Sequence, residues 1–293
     1  MNLTLTVLEI VAPVFLLAGI GFAWVKVGLE YRIQFVTQLA MTLSLPCLIF
    51  VSLMQTQIDP AALKSLSMAS IVSYAIVTVV FLILVRLLGL ETRTYSAPLI
   101  FGNTGNLGLP LALFAFGEAG LSYAIIVFAI MALWSYTFGI WLVAGAGSLG
   151  RVLREPLVWG TVLGAVFLWQ GWETPKFMTN TLQLIGQMAI PMMLITLGVA
   201  VARLSGRGLL RAVLLSLTKL TLCVGIAWFV GRYFALDDVA FGVLVLQVAT
   251  PVAVTSYLLA EKYGADAQSV AGLVVASTLL SVGALPLILA AVL

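Results

Sequence analysis

Histidine is absent from this 293-residue sequence, cysteine occurs twice, and charged side chains make up only 9% of it. Without histidine, imidazole acid–base catalysis and the usual nitrogen ligands of zinc are missing. Cys47 and Cys223 sit far apart inside apolar runs, where a thiol behaves as a small hydrophobe. They make neither a disulfide framework nor a metal site. No serine carries the spacing of a nucleophile elbow. The chain is therefore not expected to be an enzyme, and neither a metal nor a cofactor is expected.

Carboxylates are scarce where coupling chemistry needs them. All eleven fall at or near the ends of apolar runs: Glu9, Glu30, Asp59, Glu91, Glu118, Glu155, Glu173, Asp237, Asp238, Glu261 and Asp266. A sodium or proton site built on a midplane carboxylate is hard to assemble from these. Glu118 and Glu261 read as solvated helix ends.

What the sequence has in abundance is apolar surface. Hydrophobic residues make up 62% of it and the mean hydropathy is +1.18, which cannot clothe a water-soluble domain. The charges cluster between apolar runs of about 20 residues, the length that crosses a bilayer as a helix. The reading is an all-α integral membrane protein of ten transmembrane helices. Its spans lie near 6–25, 34–55, 67–88, 94–117 and 121–146, then near 156–170, 180–202, 208–233, 238–261 and 267–292. The first run carries Glu9, lacks a basic leader and is followed by Lys26, so it reads as a span and not as a secretory signal.

A net charge of +3 points to no nucleic acid once its placement is considered. The odd-numbered loops hold Lys26, Arg32, Arg86, Arg93, Arg151, Arg154, Arg203, Arg207, Arg211 and Lys262, and the even-numbered ones only Lys64, Lys176 and Arg232. By the positive-inside rule the odd loops are cytoplasmic and both termini face outward. Trp24, Trp159, Trp169 and Trp172 lie near span ends, as interface anchors do. Gly160 and Gly164 have the spacing of close helix contact, which suits packing or dimerisation.

Five spans per half place the second half upside down relative to the first, and landmarks recur accordingly. Pro13 returns as Pro156, Pro46 as Pro191, Arg86 as Arg232 and Pro110 as Pro251, and Phe116-Gly117-Glu118 resembles Tyr263-Gly264-Ala265-Asp266. The offsets run from 141 to 147. The expected organisation is a 5+5 inverted repeat, residues 1–148 and 149–293.

Within it the fourth and ninth spans are interrupted. The fourth reads Gly102-Asn103-Thr104-Gly105-Asn106-Leu107-Gly108-Leu109-Pro110, and the ninth carries Gln247-Val248-Ala249-Thr250-Pro251. Glycine is permissive, asparagine bonds locally and proline lacks a donor, so neither stretch sustains a continuous helix. Unwound backbone at membrane depth is tolerated only where protein or a water-filled cavity satisfies it. Two such breaks in matching places point to a midplane binding site. The competing reading is a pair of ordinary kinks with Asn103 and Asn106 as interhelical glue.

The Asn103 to Pro110 motif, Thr250-Pro251 and Ala260-Glu261-Lys262-Tyr263-Gly264 resemble the auxin efflux carrier family over essentially the whole chain. Ser148 to Glu155 stand where some plant members carry a long cytoplasmic loop, so the resemblance is to a bacterial-type member of the inner cell membrane. It implies a fold related to bile-acid symporters and NhaA-type antiporters, with broken helices 4 and 9 crossing. It further implies an elevator-like mobile domain (spans 3–5 and 8–10) against a scaffold (spans 1, 2, 6 and 7), which commonly forms a homodimer. The implied activity is export or exchange of small organic anions.

Lys219 lies deep in the eighth span, where an ionisable group either lines a pathway or snorkels to the surface. The expected site is thus a small carboxylate held by Asn103, Thr104, Gly105, Asn106, Pro110, Gln247, Thr250, Pro251 and half-helix amides, with Lys219 nearby. The transmembrane potential would drive export. Proton or sodium coupling is the alternative, and a non-transporting receptor or scaffold is the alternative of another class.

Overall fold

The computed structural model describes residues 3–55, 60–144, 156–203 and 208–293. Arg151, Arg154, Arg207, Asp59 and Glu155, and the segment Ser148 to Glu155, lie outside the described residues. The described chain is helical and has no strand. Six of its helices are long and apolar enough to cross a membrane: Ile33–Met54, Ala61–Leu87, Thr104–Val143, Lys176–Arg203, Leu209–Tyr233 and Ala267–Val292. Shorter apolar helices cover Ala12–Lys26, Pro156–Gln170 and Asp238–Val248.

In chain order the helices are α1 (Leu3–Lys26), α2 (Ile33–Leu39), α3 (Leu45–Met54), α4 (Pro60–Leu87), α5 (Thr92–Ile100), α6 (Leu109–Trp134) and α7 (Ile140–Ala144). They continue as α8 (Pro156–Gln170), α9 (Lys176–Gln187), α10 (Ala189–Arg203), α11 (Leu209–Tyr233), α12 (Asp238–Val248), α13 (Val254–Tyr263) and α14 (Ala267–Val292). Three π-helical segments, Ala40–Ser44, Thr104–Gly108 and Ser135–Gly139, lead into α3, α6 and α7. At Gly117 the backbone turns to φ 65° and ψ −155°, which a side chain would resist, so α6 is two helices joined at a kink.

In lipid a hydroxyl must find its partner inside the chain. Ser70 donates to Leu66 O at 2.7 Å, Thr78 to Tyr74 O at 2.6 Å and Thr161 to Leu157 O at 2.9 Å, each one turn back. Helix ends are closed by charge. Asp237 Oδ1 accepts from Ala240 N at 2.9 Å at the start of α12, and Asp266 Oδ1 accepts from Ser269 N at 3.1 Å at the start of α14. Arg93 donates to Val143 O and Tyr263 O, both at 3.0 Å, so one cation sits at the carbonyl ends of α7 and α13.

A Cβ on Gly160 would press on the Pro46 backbone and one on Gly164 on Leu53 and Phe50, so both glycines serve packing of α8 on α3 within the chain. Trp159 and Trp172 are more than half exposed and Trp169 is 82% exposed, as residues facing lipid or its interface would be. α12 is the opposite: every residue from Ala240 to Val248 is buried. A helix apolar all round belongs at the centre of the bundle.

Candidate functional site

α5 stops at Ile100, Phe101 is extended at φ −95° and ψ 127°, and helix resumes at Thr104. α12 stops at Val248 and α13 starts at Val254. Pro251 supplies no N–H and pushes Thr250 away from helical backbone, while Thr250 Oγ1 donates to Gln247 O at 2.7 Å and closes the last turn.

The two breaks lie against each other. Gly102 and Val252 form an isolated antiparallel bridge, and Asn103 N–H donates to Pro251 O at 2.7 Å. Val252 N–H donates to Ser277 Oγ on α14 at 3.0 Å. The freed backbone is thereby satisfied by protein. A Cβ on Gly102 would collide with Thr250 Oγ1, and one on Gly108 with Gln247 Oε1, so the close approach requires glycine at both places.

Two helix starts face a cavity of about 250 Å³. Gly102, Asn103, Gly105 and Asn106 border it from the first break, and Ala253, Thr255 and Ser256 from the second. Its walls are Thr37, Ala40, Met41 and Leu45, Phe101, Phe128, Met131, Ala132 and Ser135, Met193 and Thr196, and Leu259. Each π-helical segment contributes to the lining, in keeping with the frequency of π-bulges at functional sites. Among the described residues none that line it is charged. Asn103 is 4% exposed, and its Nδ2 has no hydrogen-bond partner among the described residues.

Lys219 is elsewhere. It is 2% exposed and its Nζ donates to Leu99 O at 2.9 Å, in the last turn of α5. A stem of this length finds its partner inside the protein and does not snorkel outward. Thr250 and Pro251 border a second, water-sized void of about 10 Å³ on the Lys219 side of the crossing. Gln247 and Thr104 are fully buried; Gln247 Nε2 donates to Ala124 O at 3.4 Å, while Gln247 Oε1 and Thr104 Oγ1 have no partner among the described residues. Pro110 is buried in the first turn of α6. Of the nine residues expected at the site, Asn103, Gly105 and Asn106 line the large cavity; the other six build the crossing or its far side.

Lys219, Gln247 and Thr250, expected around one ligand with Asn103, do not border the cavity that Asn103 lines. The physical reason is that the two crossed chains form a partition, and a side chain reaches only one face of it. Sequence reasoning missed Thr37, Ser135, Thr196 and Ser256, whose signal is a polar residue within an apolar run. Thr196 Oγ1 also pairs with Tyr31 OH at 2.7 Å. Burial pushes the Tyr31 phenol above its ordinary range, and this hydrogen bond pulls partly the other way.

A family model described as "Membrane transport protein" matches residues 6–150 and 148–289. An uncharacterized transporter of Methanocaldococcus jannaschii is 25% identical over 196 residues, covering 62% of each chain. An uncharacterized transporter of Methanothermobacter thermautotrophicus is 25% identical over 294 residues, covering 95% of this chain and 96% of the relative.

Proposed function

The chain belongs to the membrane transport protein family, that of the auxin efflux carriers, and on that premise we propose that it is a secondary transporter for small organic anions. The observation that carries this reading is the convergence of two helix starts on one cavity lined by uncharged described residues, with Asn103, whose Nδ2 is buried without a partner among the described residues, at its border. Each helix start is equivalent to roughly half a positive charge, so the pair together suits about one carboxylate. Free amides there have no better partner than an anion's oxygens. Phe101, Phe128, Met131 and Met193 offer the rest of such a molecule an apolar surface.

Ten spans in two inverted halves are part of this proposal. The six long apolar helices, the three shorter ones and the helices flanking the two breaks supply enough segments for them. The cavity draws on the end of α2 and the π-helical segment after it, the first turns of α13, the last turns of α6 and the first half of α10. In the spans near 34–55, 180–202 and 238–261 these residues lie toward the end that meets an odd-numbered, basic loop. With the positive-inside orientation the cavity is therefore reached from the cytoplasm, the side from which an exporter loads. Movement of α4–α7 and α11–α14 against α1–α3 and α8–α10, elevator fashion, would carry the crossing and its anion across. One negative charge moved outward gains about 2.3 kcal/mol per 100 mV of inside-negative potential.

Purified protein in liposomes, loaded with a panel of aliphatic and aromatic mono- and dicarboxylates, tests the proposal. Efflux of at least one carboxylate that accelerates with an imposed potential is expected. Equal leakage from protein-containing and empty liposomes for the whole panel would count against it.

A further inference from the structure

The anion site uses the two positive helix ends at the crossing and leaves the two negative ends unexplained. α5 and α12 finish there with their last carbonyls, of which about four per helix lack intrahelical partners. Two such ends amount to roughly one negative charge in the interior of the bundle. No carboxylate and no cation other than Lys219 borders the void beside the end of α12, among the described residues. Lys219, on α11, borders that void and donates to Leu99 O in the last turn of α5, so its ammonium stands between the two carbonyl ends.

The surroundings of that ammonium are those of an alkali-cation site. The void of about 10 Å³ beside it is bordered by Ser216, Ser277 and Ser281 and by the unwound backbone of Ala249, Thr250 and Pro251. Ser216 Oγ is buried and has no partner among the described residues. Hydroxyl oxygens, unwound carbonyls and helix C-termini around a compact space are what sodium sites in broken-helix carriers are made of. Such a volume accommodates one water or one small ion. A resident positive charge at this spot repels any second one.

We propose that Lys219 is a resident monovalent cation: its tethered ammonium holds the place that a sodium or potassium ion would otherwise take, and the carrier runs without either as a co-ion. The proposal rests on the reading of the crossing as the anion site, since it assigns the negative half of that same crossing. Neutralising and shortening the residue opens a latent alkali-cation site. Neutralising it without shortening leaves no room for one.

The test is thermal unfolding of the full chain in detergent, in NaCl, LiCl, KCl or choline chloride at equal ionic strength, which needs no transport. Wild type should melt at one temperature in all four. Lys219→Ala should melt lower in choline and recover, saturably and by about 2–4 °C, with at least one alkali cation. Lys219→Met should melt lower and show no recovery. Should neither variant fold, wild-type flux with sodium and potassium replaced by choline on both sides decides the matter, and unchanged flux is expected. Sodium-dependent melting or flux of the wild type overturns the proposal, as does a folded Lys219→Ala that is indifferent to every cation. Absence of any carboxylate flux with the expected melting pattern would instead remove the anion reading and leave the cation assignment standing.

Discussion

The Asn103 N–H donates to the carbonyl of Pro251 at 2.7 Å, across 148 positions of sequence, and this bond joins the two helix breaks into one structure. Asn103 thus has two parts with separate duties. Its backbone holds the crossing, while its side chain borders the cavity with an Nδ2 that has no partner among the described residues.

Asn103→Ala separates those duties. Removing an amide that has no internal partner costs the fold little, so the melting temperature should stay within about 2 °C of wild type. Carboxylate flux should fall about 10- to 100-fold, the equivalent of one hydrogen bond to a charged group. A stable variant with undiminished flux would remove Asn103 from the anion site.

Gly102→Val strikes the crossing itself. The added side chain meets Thr250 Oγ1, and neighbouring backbone must shift to admit it. Overpacking of this kind costs about 1–3 kcal/mol. Loss of flux together with a lowered melting temperature is expected, and pairing it with Thr250→Ala should restore part of both. Additive losses in the double variant would contradict the contact.

Arg93→Gln removes the cation from the carbonyl ends of α7 and α13. Because the residue is exposed, the expected loss is modest, about 0.3–1 kcal/mol at low ionic strength. High salt should shrink the difference between variant and wild type. A loss that ignores salt would point to packing of the side-chain stem.

Tyr31 gives a pH dependence. Its folded pKa lies above the unfolded value of about 10, burial being the larger cause. The neutral phenol's contribution is therefore fully present below about pH 10 and is lost as pH rises through the folded value. Unfolding profiles of wild type should fall away in that alkaline range more steeply than those of Tyr31→Phe. The variant should also lose about 0.5–1.5 kcal/mol at neutral pH with the Thr196 hydrogen bond.

The breaks were legible because their causes are local. Gly102, Asn103 and Pro251 oppose helix through their own backbone and side chains, whatever surrounds them. The cavity walls were not. Phe128, Met131 and Met193 read as ordinary lipid-phase hydrophobes, and only packing shows that they face an opening. The three π-helical segments escaped for the same reason, since one extra residue in a turn leaves no mark in composition.

Sequence alone determined the solvent and the punctuation: a helical membrane protein, with helix interrupted near Asn103 and near Thr250. Apolar length and missing donors act over a few residues and need no fold to be read. Tertiary structure decided which groups share a space. It set Asn103 and Asn106 on the cavity with two helix starts, and Lys219 with Thr250 on the other side among carbonyl ends. The division follows from two chains crossing at the centre of the bundle, because a side chain on either strand of the crossing can face only one side of it.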